Sequence, residues 1–278
     1  MTNDDPFLGV YMPSLSELLN QSPVDSLLLF IVTFALLIGA AYGGKHLFKR
    51  RYSEEEKVEE DEAKLILGAL LSLLGLLIGF VLTVAISGYN DRQRTEEQEA
   101  ITIGVAYQHT QLLEDPIKAA AESLLEQYLE ARIAFFESGV GAANTYWRHA
   151  SVELQAQLWG LAVTETQQVP NAINALVLKA YSELYLSQQH TLSSWRHQIP
   201  NAAWLLLLFF AVSANALIGY NIRGLKGDNW LLFILPSLTT LALFMVAEID
   251  IPGEGLIHVM PDDLLDLKQF LLRSLIHN

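Results

Sequence analysis

The sequence predicts an all-α membrane protein, with four transmembrane helices and an extramembrane helical bundle between the second and third. Three observations carry this prediction. Of the 278 residues, 51% are hydrophobic and only 17% are charged, against about a quarter charged in a typical soluble domain. The missing charge is concentrated in four long windows. Between the second and third lies a 113-residue polar stretch, Gly88 to Pro200, whose apolar residues recur at helical spacing and never alternate as strands require.

The windows are Val24 to Tyr42, with only Asp25 charged, Leu65 to Ile86 without any charge, Ala202 to Asn221, and Trp230 to Ala247. Each approaches the ~20 residues a helix needs to cross roughly 30 Å of hydrocarbon. Tyr42, Tyr89, Trp204, Tyr220 and Trp230 fall at window ends, where interfacial aromatic belts belong. The first window is expected to be an uncleaved span, because residues 1–23 carry no Lys or Arg and a signal peptide needs a basic n-region. The chain then divides into an amino-terminal segment 1–23, a transmembrane hairpin 24–86 with a charged loop at 43–64, an extramembrane domain 87–200, a second hairpin 201–250, and a segment 251–278 with an amphipathic helix.

Charge placement predicts orientation. Lys45, Lys49, Arg50, Arg51, Lys57 and Lys64 lie between spans one and two, and Arg223 and Lys226 between spans three and four. Eight of the 17 basic residues thus sit in two short loops on one face, which the positive-inside rule makes cytoplasmic. Both termini and the large domain fall on the extracytoplasmic side; Arg92 and Arg94 run against the count.

Within the polar domain, Asp115-Pro116 reads as an N-cap followed by proline at the first helical position. Ile117, Ala121, Leu124, Tyr128 and Phe135 then keep helical spacing until Ser138-Gly139. Ile101, Val105 and Leu112 mark a stripe upstream; Trp147, Leu154, Leu158 and Leu161, then Leu176, Ala180, Leu184 and Thr191, mark two more downstream. Four amphipathic helices with short joints predict a bundle. No proline interrupts Leu65 to Leu113, so span two is expected to run on as one helix of roughly 73 Å. Pro200 predicts a kink before span three, and Gly88 is a candidate bend.

The composition excludes several functions. Without cysteine there is no thiol catalysis, disulfide or thiolate metal site. A formal charge of −14 argues against nucleic acid. His46, His109, His149, His190, His197, His258 and His277 show no metal-ligand spacing, and ordinary surface or part-buried histidines account for them. No nucleophile elbow, phosphate loop or dinucleotide fingerprint occurs, so neither an enzyme nor a cofactor is expected. The acidic run Ser53 to Glu62 lacks the spaced ligands and glycine turn of a calcium loop and reads as a solvated loop.

The spans are more informative. Gly68, Ser72, Gly75, Gly79 and Thr83 place small residues along span two, with Gly75 and Gly79 four apart, and Gly39 and Gly43 repeat that step in span one. Small residues allow close backbone approach where lipid supplies no hydrophobic driving force, either within a protomer or between protomers. No charged residue lies deep in a span, which counts against a proton-coupled carrier and leaves a pore lined by apolar and small side chains.

The stretch Gly75, Gly79, Phe80, then Tyr89-Asn90-Asp91-Arg92, Glu99-Ala100-Ile101, Gly104-Val105-Ala106-Tyr107, Leu112-Leu113, Pro116, Tyr128 and Arg132, with Ile249-Asp250-Ile251-Pro252 and Gly255 after span four, resembles the bacterial bestrophin-like integral membrane family. The resemblance implies the bacterial cytoplasmic membrane, a homo-oligomer as in the pentameric bestrophin channels, and small ions as the permeant species. It places the pore on span two, giving Ser72, Gly75, Gly79, Phe80 and Thr83 as pore-lining or helix-packing residues. Gln93 and Arg94 replace the paired tryptophans of bestrophins proper, and the charge count puts the polar domain opposite to theirs. Arg92, Glu99, Arg132, Asp250, Pro252 and Gly255 are the candidate structural polar set, with Pro252 forcing a turn and Asp250 expected to pair with Arg92, Arg94 or Arg132. The alternative function is a non-conducting sensor or partner-binding protein using the outer bundle.

Overall fold

The computed structural model describes residues 23–47, 56–139, 141–222, 230–253 and 257–277. These form α1 (Pro23–Leu47), α2 (Glu56–Thr110), α3 (Ile117–Glu137), α4 (Ala142–Gln168), α5 (Ala172–Arg196), α6 (Asn201–Ile222), α7 (Leu231–Asp250) and α8 (Asp262–His277), with no strand among the described residues. Four helical stretches are long and apolar enough to cross a membrane. They overlap the four expected windows, and the chain is an all-helical membrane protein.

Two compact units emerge. The first comprises residues 1–85 and 198–251 and holds α1, the membrane part of α2, α6 and α7. Its core is Leu37, Leu74, Val81, Ala85, Ile199, Leu207, Ala211, Ala214, Leu243 and Val246. Glycine decides how α1 and α6 meet. A Cβ on Gly44 would collide with the backbone of Ala216, and one on Gly219 with that of Ala41. Gly39 and Gly43, the expected small-residue step, have nothing within 4 Å of where a Cβ would stand. The close approach is therefore made one residue further along α1, because only the Gly44 side of that turn faces α6.

Helix α7 carries Pro236 in its interior. Proline has no N–H to return to the fourth residue before it, and two hydroxyls just beyond it donate to carbonyls of the preceding turn: Ser237 Oγ to Phe233 at 2.6 Å and Thr239 Oγ1 to Leu235 at 2.8 Å.

The second unit comprises residues 86–197 and 252–278. The outer half of α2 with α3, α4, α5 and α8 surrounds a core that includes Ile103, Ala106, Leu125, Tyr128, Leu129, Leu158, Leu184 and Leu264. The joints follow local chemistry. Ser138 caps α3, and Gly139 follows in the left-handed region at φ 65°, which its missing Cβ permits. Asn171 caps α5 by accepting the Asn174 amide at 2.7 Å.

Several expectations change. Helix α2 is continuous over 55 residues, as the missing prolines predict, but it starts at Glu56, so the acidic run from that residue onward is helix rather than loop. Acidic side chains suit a helix start. Asp115 does not cap: α3 begins at Ile117 after a cis Asp115-Pro116 bond, without a side-chain cap. Between α5 and α6, residues 197–200 leave the helix altogether, a break rather than a kink. The stripe Ile101, Val105, Leu112 is not the buried face of α2, since Ile101 and Leu112 are about half exposed, at 52% and 49%. The buried face runs Arg92, Glu96, Glu99, Ile103, Ala106 and Thr110. Its first three members are ionisable, which hides it from a search for apolar periodicity.

Candidate functional site

Two places concentrate the candidate residues. On the membrane part of α2, Leu74, Val81 and Ala85 enter the core. Ser72, Gly79 and Thr83 stand two residues from these, hence roughly 200° around the helix, and all three are exposed within the protomer. Nothing lies within 4 Å of a Cβ at Gly75 or Gly79, and Phe80 is 66% exposed. The hydroxyls return to their own helix: Ser72 Oγ donates to the Gly68 carbonyl and Thr83 Oγ1 to the Gly79 carbonyl, each at 2.9 Å. A stripe of small residues with satisfied hydroxyls is therefore available to another helix, to lipid or to water.

The second place is the polar layer of the bundle. Arg132 of α3 reaches Glu99 of α2 through two parallel bonds, Nε to Oε2 at 2.8 Å and Nη2 to Oε1 at 2.9 Å, both residues being buried. Two-pronged geometry is what a planar guanidinium offers a carboxylate. Burial would lower the Arg132 pKa, but the Glu99 charge and hydrogen bonds hold it above its usual value. The guanidinium lies 4.3 Å from the Phe135 ring centre, and Trp195 packs on the same ring at 4.7 Å. Gly253, at φ 74°, brings the chain against Trp195 and Gly139 so closely that a Cβ would overlap both. Beneath this layer Gln155 Nε2 donates to Tyr128 Oη at 2.9 Å, and the Thr110 and Tyr181 hydroxyls share a bond of 2.7 Å. Burial, helped by Glu99, raises the Tyr128 hydroxyl, and burial raises Tyr181.

One turn before Glu99, the buried Glu96 accepts the Leu264 amide of α8 at 3.0 Å. Its pKa is pushed up to about 8, chiefly by burial; the Leu264 bond opposes the rise, while Asp263 and Glu99 add to it.

The candidate polar set thus separates. Glu99 and Arg132 meet directly. The exposed guanidinium of Arg94 lies 3.8 Å from Asp91. Asp250 Oδ1 accepts the Ile199 amide at 3.0 Å, tying the end of α7 to the start of α6 within the membrane unit. Arg92 is buried on α2, and Pro252 is buried in the turn that ends α7. Gly255 lies outside the described residues, as do Lys49, Arg50, Arg51, Arg223 and Lys226 of the charge count. Sequence reasoning missed Glu96, Trp195 and Gly253. A polar heptad-like spacing along α2 and a glycine just after Pro252 were the available signals.

These features define a four-span, all-helical membrane protein with an ion pair buried in its extramembrane bundle. The model of the bestrophin-like domain matches residues 31–264, and the chain belongs to the bestrophin-like family. A crystal structure of a bacterial bestrophin homologue from Klebsiella pneumoniae, carrying one substitution, is similar at TM-score 0.59 and 12% identity, over 89% of this chain and 98% of that one. A second crystal structure, of a membrane protein carrying one substitution, is similar at TM-score 0.55 and 10% identity, over 89% of this chain and 97% of that one. No curated protein sequence matches the chain.

Proposed function

We propose that the chain assembles with copies of itself into a pore for small ions, lined by the membrane part of α2. The observation that carries this reading is the stripe Ser72, Gly75, Gly79 and Thr83, exposed in the protomer while the opposite face of the same helix is packed. Small residues without a partner inside one protomer suit a helix that meets its own copies around an axis, and the family supports a pentamer. The bacterial cytoplasmic membrane is the proposed location, with both termini and the bundle outside. A reporter fused after His109 is then extracytoplasmic and one inserted near Glu56 cytoplasmic; the reverse result inverts the orientation.

The absence of native cysteine gives a clean test of the pore. Purified protein in liposomes is expected to pass ions above the level of empty vesicles, and a membrane-impermeant thiol reagent to slow that flux in Thr83→Cys while leaving the parent unaffected. Flux unchanged by modification removes α2 from the pore lining. Absence of flux favours the second reading, a non-conducting sensor or partner-binding protein. That reading has its own support in an aromatic groove of about 330 Å³ between α4 and α5, walled by Trp159, Tyr181 and Tyr185 with Gln155 at its base.

A further inference from the structure

Glu96 has a role that neither the pore nor the fold requires. It is a carboxyl group with 1% exposure, and its Oε1 takes the Leu264 amide in the first turn of α8. The second feature is its neighbour: Asp263, also in the first turn of α8, is the acidic side chain beside it. Ionised carboxylates only accept hydrogen bonds. Two ionised carboxylates side by side therefore repel, and burial makes Glu96 the one that keeps a proton. The charged groups around Glu96 are few. On its own helix, Arg92 lies one turn before it and Glu99 one turn after, Glu99 being neutralised by Arg132 of α3. From α8 comes Asp263. Other attachments of α8 include the buried Leu264 and Leu271, Leu265 on the same core, Leu267 beside Gly104, and a part-exposed ion pair of Lys268 with Glu130 at 3.1 Å.

We propose that Glu96 is a proton-binding site and that its proton latches the start of α8 onto α2, so that α8 is held in acid and loosened as the proton is lost. With the proton, Glu96 accepts from Leu264 and donates to Asp263, so both of its oxygens are satisfied. Without it, a buried carboxylate faces the Asp263 carboxylate with one amide for compensation. The sign follows from the two states of α8. When α8 is released, Glu96 has the ordinary pKa near 4.5; when α8 is docked, it has one near 8. Below the lower value both states are protonated and pH has no effect. Between the two values the released state sheds a proton that the docked state keeps, so release becomes easier by up to about tenfold per pH unit. Above the upper value the effect is complete. The latch operates whether or not the protein conducts, so its failure leaves the pore reading untouched.

Hydrogen exchange of the full-length protein in detergent, corrected for intrinsic rates and read on peptides covering residues 262–277, tests the latch. Protection of the first turns of α8 is expected to fall between pH 5.5 and 8. In Glu96→Gln, whose amide accepts from Leu264 and donates to Asp263 at every pH, protection is expected to stay high and flat. Asp263→Asn removes the repelling charge and is expected to make the wild-type decline shallower. Wild-type protection equal at pH 5.5 and 8, or an undiminished decline in Glu96→Gln, overturns the proposal; an undiminished decline in Asp263→Asn overturns the pairing of the two carboxyl groups.

Discussion

The membrane unit and the extramembrane bundle differ in what joins their helices. In the membrane unit, Asn215 Nδ2 donates to the Ala211 carbonyl at 2.8 Å and Thr239 to that of Leu235, each within its own helix, and Asp250 at the end of α7 takes the Ile199 amide. Contact between α1 and α6 comes from the missing side chains of Gly44 and Gly219. In the bundle, polar groups reach across helices, Arg132 to Glu99, Gln155 to Tyr128, Tyr181 to Thr110 and Glu96 to Leu264. The solvent explains the difference. Lipid tails are as apolar as leucine, so helices there gain by close van der Waals approach. In water, burial of leucine and phenylalanine already drives collapse, and cross-helix polar pairs then select one register because an unpaired member is costly.

The largest expected effect attacks that register. Arg132→Ala leaves Glu99 buried without its partner and strips the cation from beneath Phe135, for a loss of about 3–5 kcal/mol. The bundle should melt well below the parent in detergent. Glu99→Leu combined with Arg132→Met should recover much of the loss, because an apolar pair of similar volume avoids the stranded charge. If the single variant melts like the parent, the ion pair does not specify the bundle.

The sequence exposes some parts of this comparison better than others. Long charge-free windows are legible because crossing a bilayer admits little else, and the stripe of α3 because its buried face is apolar but for Arg132. The face of α2 in the bundle is not, since Arg92, Glu96 and Glu99 occupy buried positions that a periodicity search assigns to solvent. The choice of glycine in α1 is equally hidden. Gly39, Gly43 and Gly44 all look suitable for close packing, and only the rotation of the helix toward Ala216 selects Gly44. Arg132 and Glu99 stand 33 positions apart, so each is visible by resemblance while their union is not.

A smaller effect is expected from the glycine contact in the membrane unit. Gly219→Leu drives a side chain into the Ala41 backbone, and overpacking of a tight core costs about 1–3 kcal/mol. The melting temperature in detergent should fall. Gly39→Leu, at a position with open space, should leave it unchanged. Equal losses in both would mean that α1 and α6 are not held by the Gly44 and Gly219 approach.

The smallest effect on the protomer is expected at Gly79, and there the comparison turns on what lies outside one chain. No atom stands within 4 Å of a Cβ at this position, so Gly79→Leu has nothing in the protomer to strike. Exchanging glycine for leucine even favours the helix, by up to about 1 kcal/mol. Protomer stability should therefore be unchanged or slightly higher, unlike the loss at Gly219. The assembled protein should respond differently, because a leucine on a surface that meets a neighbouring α2 holds the backbones apart. Light scattering of detergent-purified protein is expected to show a smaller or mixed oligomer for Gly79→Leu while the melting of the protomer is retained. The same oligomer and the same melting would assign this stripe to lipid and leave the pore without its helix. Melting lowered as far as at Gly219 would instead place a packed partner for Gly79 inside the protomer.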